Sequence, residues 1–135
     1  MAIVNDVVYF EEDLGRGYRV SYKEYHGKML LHLRMYEYSL PTKKGVCLSP
    51  KDAKVLMNLS PRVLAALEAK EELELFINDD IKLRVTDYGT ADIRLFWVPP
   101  GDIEKVPTKC GVNLKKGEFE QLSNIMNINR HFFMY

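Results

Sequence analysis

Tyrosines and cations recur together in the first third of this sequence. Lys23 and Tyr25 are two residues apart, and so are Arg34 and Tyr36. On an extended strand that spacing puts both side chains on one face. Lys28 follows the dipeptide His26-Gly27, a plausible hairpin turn that would fold the two segments together. A face of tyrosyl rings and cations suits single-stranded nucleic acid, because bases stack on the rings and cations follow the phosphates. Stacking is worth about 1–3 kcal/mol per base and tolerates any sequence. The same residues also describe an ordinary solvated face whose tyrosines cover the edge of a core.

Other chemistries find little support. The chain has no phosphate-binding glycine loop, no nucleophile elbow and no HExxH pair. His26, His32 and His131 are scattered, and the carboxylates are dispersed or sit in solvated runs such as Glu11-Glu12-Asp13 and Asp79-Asp80. No enzyme activity, cofactor or metal is expected. Cys47 and Cys110 form neither a CxxC pair nor a zinc ligand set. They read as reduced thiols of an intracellular protein, with Cys47 a small core residue. The segment Met1–Asp6 has no basic start or apolar run of a secretory signal. No apolar stretch approaches the roughly 20 residues that span a bilayer.

The chain has 135 residues and is 47% apolar, enough for a sizeable core. Net charge is zero, which does not by itself suggest a nucleic-acid binder. The distribution is uneven. From Gly15 to Leu48 there are seven basic residues (Arg16, Arg19, Lys23, Lys28, Arg34, Lys43 and Lys44) against Glu24 and Glu37. From Asp79 to Val112 five basic residues meet six acidic ones.

An internal repeat underlies this asymmetry. Leu40-Pro41-Thr42-Lys43-Lys44-Gly45-Val46-Cys47-Leu48 matches Val106-Pro107-Thr108-Lys109-Cys110-Gly111-Val112-Asn113-Leu114 at an offset of 66 residues. Upstream, Arg19-Val20-Ser21 faces Arg84-Val85-Thr86, one residue off that offset. In the first copy, strands are expected at Val7–Phe10, Tyr18–Tyr25, Lys28–Tyr38 and Gly45–Leu48, rich in aromatic and β-branched residues. Ser49-Pro50 then caps a helix, and Ser60-Pro61 signals a second helix to about Glu71. The second copy reads as strands Leu73–Phe76, Ile81–Tyr88, Asp92–Val98 and Gly111–Leu114, then a helix from Lys116 to Asn127. Units of about 65 residues are marginal alone, so the copies should pack as one pseudo-twofold domain.

The order Arg16-x-Tyr18-x-Val20-x-Tyr22-Lys23-x-Tyr25-x-Gly27-Lys28, then Leu31-x-Leu33-Arg34-x-Tyr36, then Lys43-Lys44-Gly45-Val46-x-Leu48-x-Pro50 resembles the positive cofactor four family. These are transcriptional coactivators that bind single-stranded DNA. The resemblance covers about residues 7–59, with a fainter echo over 73–127. It implies a curved four-stranded antiparallel sheet followed by a helix, paired into a dimer. It implies phosphate contacts from Arg16, Lys23, Arg34 and Lys44, with Lys28 nearby, and base stacking on Tyr25. A Trp common on the family's third strand is Glu37 here. Arg19, Tyr36 and Lys43, from the basic stretch, complete the candidate set. In the second copy only Arg84, Tyr88, Arg94, Trp97 and Lys109 could still serve.

The expected protein is α+β, with tandem units 1–72 and 73–135 packed as an intrachain pseudo-dimer. Its expected role is single-stranded DNA binding as a transcription or replication cofactor, inside the cell and with the nucleus as a candidate site. The rivals are a protein-interaction module of a transcription or viral complex and a single-stranded RNA binder using the same face. Transcription-complex proteins and a second copy of the chain are the other candidate partners, and no membrane is expected.

Overall fold

The computed structural model describes residues 7–133. Met1–Asp6, read above as lacking a secretory signal, and the last two residues of the aromatic C-terminus lie outside the described residues. The first unit comprises β1 (Val8–Gly15), β2 (Tyr18–Tyr25), β3 (Lys28–Glu37), β4 (Leu40–Leu48) and α1 (Pro50–Ala69). The second comprises β5 (Leu73–Phe76), β6 (Ile81–Val85), β7 (Thr90–Trp97), β8 (Val106–Lys115) and α2 (Lys116–Ile128), followed by a short 3-10 turn over Arg130–Phe132. Each set of four strands forms an antiparallel sheet in chain order, and each sheet is followed by its helix. The α+β architecture expected from the sequence is present.

Alternation of side chains sets the inner faces. Tyr18, Val20, Tyr22, Leu31, Leu33, Val46 and Leu48 are buried on the first sheet. Leu83, Val85, Ala91, Ile93, Val112 and Leu114 are buried on the second. They join Leu56, Val63, Phe119 and Leu122 of the helices in one continuous core that spans both units. β4 lies against β8 and α1 against α2, while α1 also touches β6 and β7, and α2 touches β1. Each large apolar side chain withdrawn from water contributes about 1.5–3 kcal/mol, and neither unit alone could hide its share.

Several elements differ from expectation, each for a local reason. α1 runs unbroken through Ser60-Pro61. The Ser60 hydroxyl donates back to the Leu56 carbonyl at 2.9 Å instead of capping a new helix. Val63, Ala66 and Leu67 beyond the proline are buried, and that burial holds the helix together despite the lost amide. The helix ends at Lys70, left-handed at φ 56°, whose amide donates to Ala66 and Leu67. β4 and β8 begin at Leu40 and Val106, well before the glycines, because Pro41 and Pro107 are tolerated beside a bulge. β1 continues to Gly15, since an edge strand can carry the exposed Glu11-Glu12-Asp13 run. β6 stops at Val85, with a turn through Gly89 at φ 76°. At the C-terminus, Phe133 is 2% exposed and packs edge-on against Tyr22. The aromatic end caps the core.

The same device shapes both sheets. A bulge interrupts β3 between Arg34 and Tyr36, and another interrupts β7 between Arg94 and Phe96. The Tyr36 amide donates to Gly17 carbonyl at 2.7 Å, and the Phe96 amide to Asp80 carbonyl at 2.7 Å. Thr42 and Thr108 hydroxyls donate to the Met35 and Leu95 carbonyls at 2.7 and 2.8 Å. Arg34 and Arg94 donate in turn to the Thr42 and Thr108 carbonyls at 2.6 and 2.8 Å. A Cβ on Gly45 would sit 2.6 Å from the Leu33 carbonyl oxygen, and one on Gly111 2.7 Å from that of Ile93. The repeated Pro-Thr-Lys-x-Gly-Val motif is therefore what this crossing of strands requires.

Candidate nucleic-acid interface

The outer face of the first sheet is fixed by strand pairing. Arg19 lies opposite Arg34, Ser21 opposite His32, Lys23 opposite Leu30 and Tyr25 opposite Lys28. On the far side, His32 pairs with Cys47 and Arg34 with Gly45. The β2–β3 turn is His26-Gly27, both left-handed at φ 51° and 78°. That is the hairpin geometry that matches strand twist, and it sets Tyr25 and Lys28 side by side. Tyr25 is 46% exposed, its ring 4.2 Å from that of His26 and 6.3 Å from that of His32.

The cations on this face differ in their company. Lys23, Lys28, Lys43 and Lys44 make no ion pair among the described residues. Arg34 is anchored by the Thr42 carbonyl, with its other edge 3.9 Å from the Cys47 sulfur. Arg19 is tied to Asp13 at 2.8 Å, lies 3.9 Å from Glu11, and covers the Tyr36 ring at 4.7 Å. Lys23, Tyr25, Lys28, Arg34, Tyr36 and Arg19 are thus brought onto one surface, with Lys43 and Lys44 exposed on the neighbouring strand.

Arg16 is placed elsewhere. It sits in the β1–β2 turn at φ 51° and reaches across to the second unit. Its Nε and Nη2 donate to the two Glu118 carboxylate oxygens at 2.7 Å each, and Nη2 also donates to the Asn113 carbonyl. Hydrogen bonding to Arg16 holds the Glu118 carboxyl below its usual pKa, against the opposing effect of burial, and the Lys115 amide adds to the lowering. The guanidinium is raised in turn, first through the hydrogen bond to Glu118.

Cys47 is exposed, contrary to its reading as a core residue. It occupies an outward position of β4, with its sulfur 3.1 Å from His32 Nδ1. His32, Cys47, Ser21 and Leu30 form the middle of the face and were not among the predicted site residues. Counting back in steps of two from Arg34 reaches His32 and Leu30, so the signal was present. The left-handed Tyr38-Ser39 turn, with Tyr38 almost wholly exposed, has no signal beyond the break in pattern.

The second sheet presents another surface. Arg94 lies opposite Lys82, and Arg84 opposite Asp92. The counterpart of Arg19 is therefore Lys82, two residues before the Arg84 suggested by the sequence match, because β6 pairs in a different register. Asp92 accepts from Arg84 at 3.1 Å and from Arg94 at 2.9 Å, and Glu74 accepts from Lys82 at 3.0 Å. Tyr88 projects from the β6–β7 turn, 87% exposed, and Trp97 is 49% exposed. Lys109 is exposed on β8 without an ion pair among the described residues. Trp97 pairs with Val106 just as Glu37 pairs with Leu40, so it holds the position of Glu37 in the other unit.

The site and fold together define a chain of two sheet-and-helix units, one bearing a basic and aromatic outer face. Residues 13–59 match the family model described as Transcriptional Coactivator p15 (PC4). The match covers most of the first unit and shows there the resemblance read from the sequence. No curated protein matches the chain. Among solved structures it is similar to trypanosoma bruciei MRP1/MRP2, at 17% identity over 95% of this chain and 83% of that one, with a TM-score of 0.40. It is also similar to a guideRNA-binding protein complex bound to a gRNA, at 17% identity over 95% and 89%, with a TM-score of 0.36. No helix among the described residues is long and apolar enough to cross a membrane.

Proposed function

We propose that this protein is a non-catalytic single-stranded DNA-binding cofactor of transcription or replication, acting inside the cell through the first sheet. The observation that carries the reading is the outer face of β2 and β3. There Tyr25 stands exposed among Lys23, Lys28 and Arg34, and no carboxylate is paired to any of the three among the described residues. Stacking on Tyr25 would hold bases, and the cations, with Lys43 and Lys44, would follow the backbone. The match of residues 13–59 to a coactivator family supports the same reading. Arg19 contributes less, because Asp13 already neutralises it.

Binding should weaken with salt as counterions leave the strand. Fluorescence anisotropy with labelled oligo-dT at low salt is the test. Half-saturation is expected at or below about 10 μM, or near −7 kcal/mol. A flat titration through that range sinks the reading. Unlabelled single-stranded RNA added as competitor distinguishes the polymers, since stacking alone does not tell the sugars apart.

A further inference from the structure

Asp92 stands where His32 stands in the other unit. Arg34 and Arg94 each lie opposite the glycine of the repeated motif. Two residues earlier on the same strands, His32 pairs with Ser21 and Cys47, whereas Asp92 pairs with Arg84 and Asn113. The first sheet therefore places an imidazole and a thiol beside Arg34, and the second places a carboxylate between Arg84 and Arg94. That carboxylate is 3% exposed. It accepts from Arg84 Nη2 at 3.1 Å, from Arg94 Nη2 at 2.9 Å and from Arg94 Nε at 3.1 Å.

We propose that Asp92 closes the second sheet to nucleic acid by holding both guanidiniums that would otherwise face phosphate. The inference rests on the single-strand reading of the first sheet. A phosphate reaching Arg94 must take donors already given to Asp92 and the Thr108 carbonyl, and one reaching Arg84 meets a guanidinium whose charge Asp92, on an inner strand of the sheet, already offsets. Charge-assisted bonds of this kind are strong, and breaking them would leave a buried charge uncompensated. Lys82 is paired more loosely, with the exposed Glu74 at 3.0 Å, and its ammonium lies 4.6 Å from the centre of the Phe96 ring. Arg84, Arg94 and Lys82 keep the charges of a binding face but are engaged by carboxylates, whereas Lys109 on β8 stays without an ion pair among the described residues. One chain then takes one strand.

Titration with an oligo-dT of about eight nucleotides, within the range of site sizes for single-strand binders, reads this directly. The native chain should saturate at one oligonucleotide per chain, and Asp92→Asn at two. With a longer oligonucleotide, the slope of log affinity against log salt should steepen by about 1.4 in Asp92→Asn, for two further phosphate contacts. Two oligonucleotides on the native chain overturn the proposal, as does a folded Asp92→Asn that still takes one. A native chain that binds none overturns the single-strand reading instead, so the two failures are distinct. If circular dichroism shows that Asp92→Asn does not fold, the converse change decides. His32→Asp should draw Arg34 onto the new carboxylate. His32→Asp, Arg34→Gln and their double variant should then lose equal affinity, whereas additive losses overturn the proposal.

Discussion

The two sheets keep the same skeleton and carry different surfaces. Both retain the bulge after the strand arginine, the threonine that bonds the bulged carbonyl, and the glycine that lets the strands approach. Both retain the turn carbonyl that receives the amide freed by the bulge. The outer faces also keep a cation at the Arg19/Lys82 and Lys43/Lys109 positions, but their middles differ. His32 has become Asp92, Ser21 has become Arg84, and Cys47 has become Asn113 at matching places in the pairing. The sequence repeat thus records the demands of the backbone. The proposed binding chemistry draws mainly on residues between the repeated ones, where the units have diverged.

If the glycines are architectural, they should matter equally in the two units. Gly45→Ala forces a methyl against the Leu33 carbonyl and the Arg34 side chain, and Gly111→Ala against the Ile93 carbonyl and Arg94. Neither contact can relax cheaply, because the nearest atom is backbone. Each change should cost about 3 kcal/mol, the upper part of the overpacking range. Urea denaturation of both variants checks this. A large loss at one glycine and none at the other would break the equivalence.

The surfaces should respond in the opposite, unequal way. Tyr25→Ala removes the exposed ring beside Lys23 and Lys28 and should weaken oligo-dT binding by about 2 kcal/mol, roughly thirty-fold. Tyr88→Ala removes a still more exposed ring beside Asp87, on the sheet whose arginines are engaged by Asp92. Its effect should stay within about twofold, near 0.4 kcal/mol. Equal losses in anisotropy titrations would show that both sheets bind.

Much of this was legible in the residues, and the exceptions share a cause. β2 falls at the expected residues because alternation and glycine turns bound it on both sides, and β5 because its alternation ends before Asn78-Asp79-Asp80. Ser49-Pro50 marks the start of α1, with the Asp52 amide donating to the Ser49 hydroxyl at 3.1 Å. Pro61 misleads because its local preference is outweighed by burial that only the tertiary fold supplies. Cys47 misleads because a one-residue choice of face on a short strand is settled by pairing with His32, not by its apolar neighbours. The Arg19–Arg84 match fails for the same reason, since register belongs to pairs of strands. Arg16 shows the limit most clearly. Its partner Glu118 lies 102 residues away, and nothing local distinguishes a phosphate ligand from an inter-unit latch.

That latch has a weaker counterpart, and the pair gives the finest comparison of the units. The β1–β2 turn grips the first turn of α2 through Arg16 and Glu118. The β5–β6 turn grips the first turn of α1 through Asn78, whose amide donates to Asp52 at 2.9 Å. One link is a bidentate ion pair with the carboxylate largely buried, and the other is a single hydrogen bond from a neutral amide. Hydrogen bonding to Arg16 holds the Glu118 carboxyl below the ordinary glutamate range, so the folded state favours its ionised form. The stability it contributes is fully present above the pKa of an unfolded glutamate and is lost as pH falls through the lower, folded value. Arg16 is 42% exposed on its side chain, and solvent screening keeps the contribution to about 1 kcal/mol. Glu118→Gln should therefore destabilise the chain at pH 7 by about that amount and flatten the loss of stability below about pH 4.5. Denaturation midpoints of native and variant chains from about pH 7 to about pH 3 would show the two curves converging. Parallel curves would mean that ionisation of Glu118 contributes nothing to stability, and that the two latches do not differ in charge dependence.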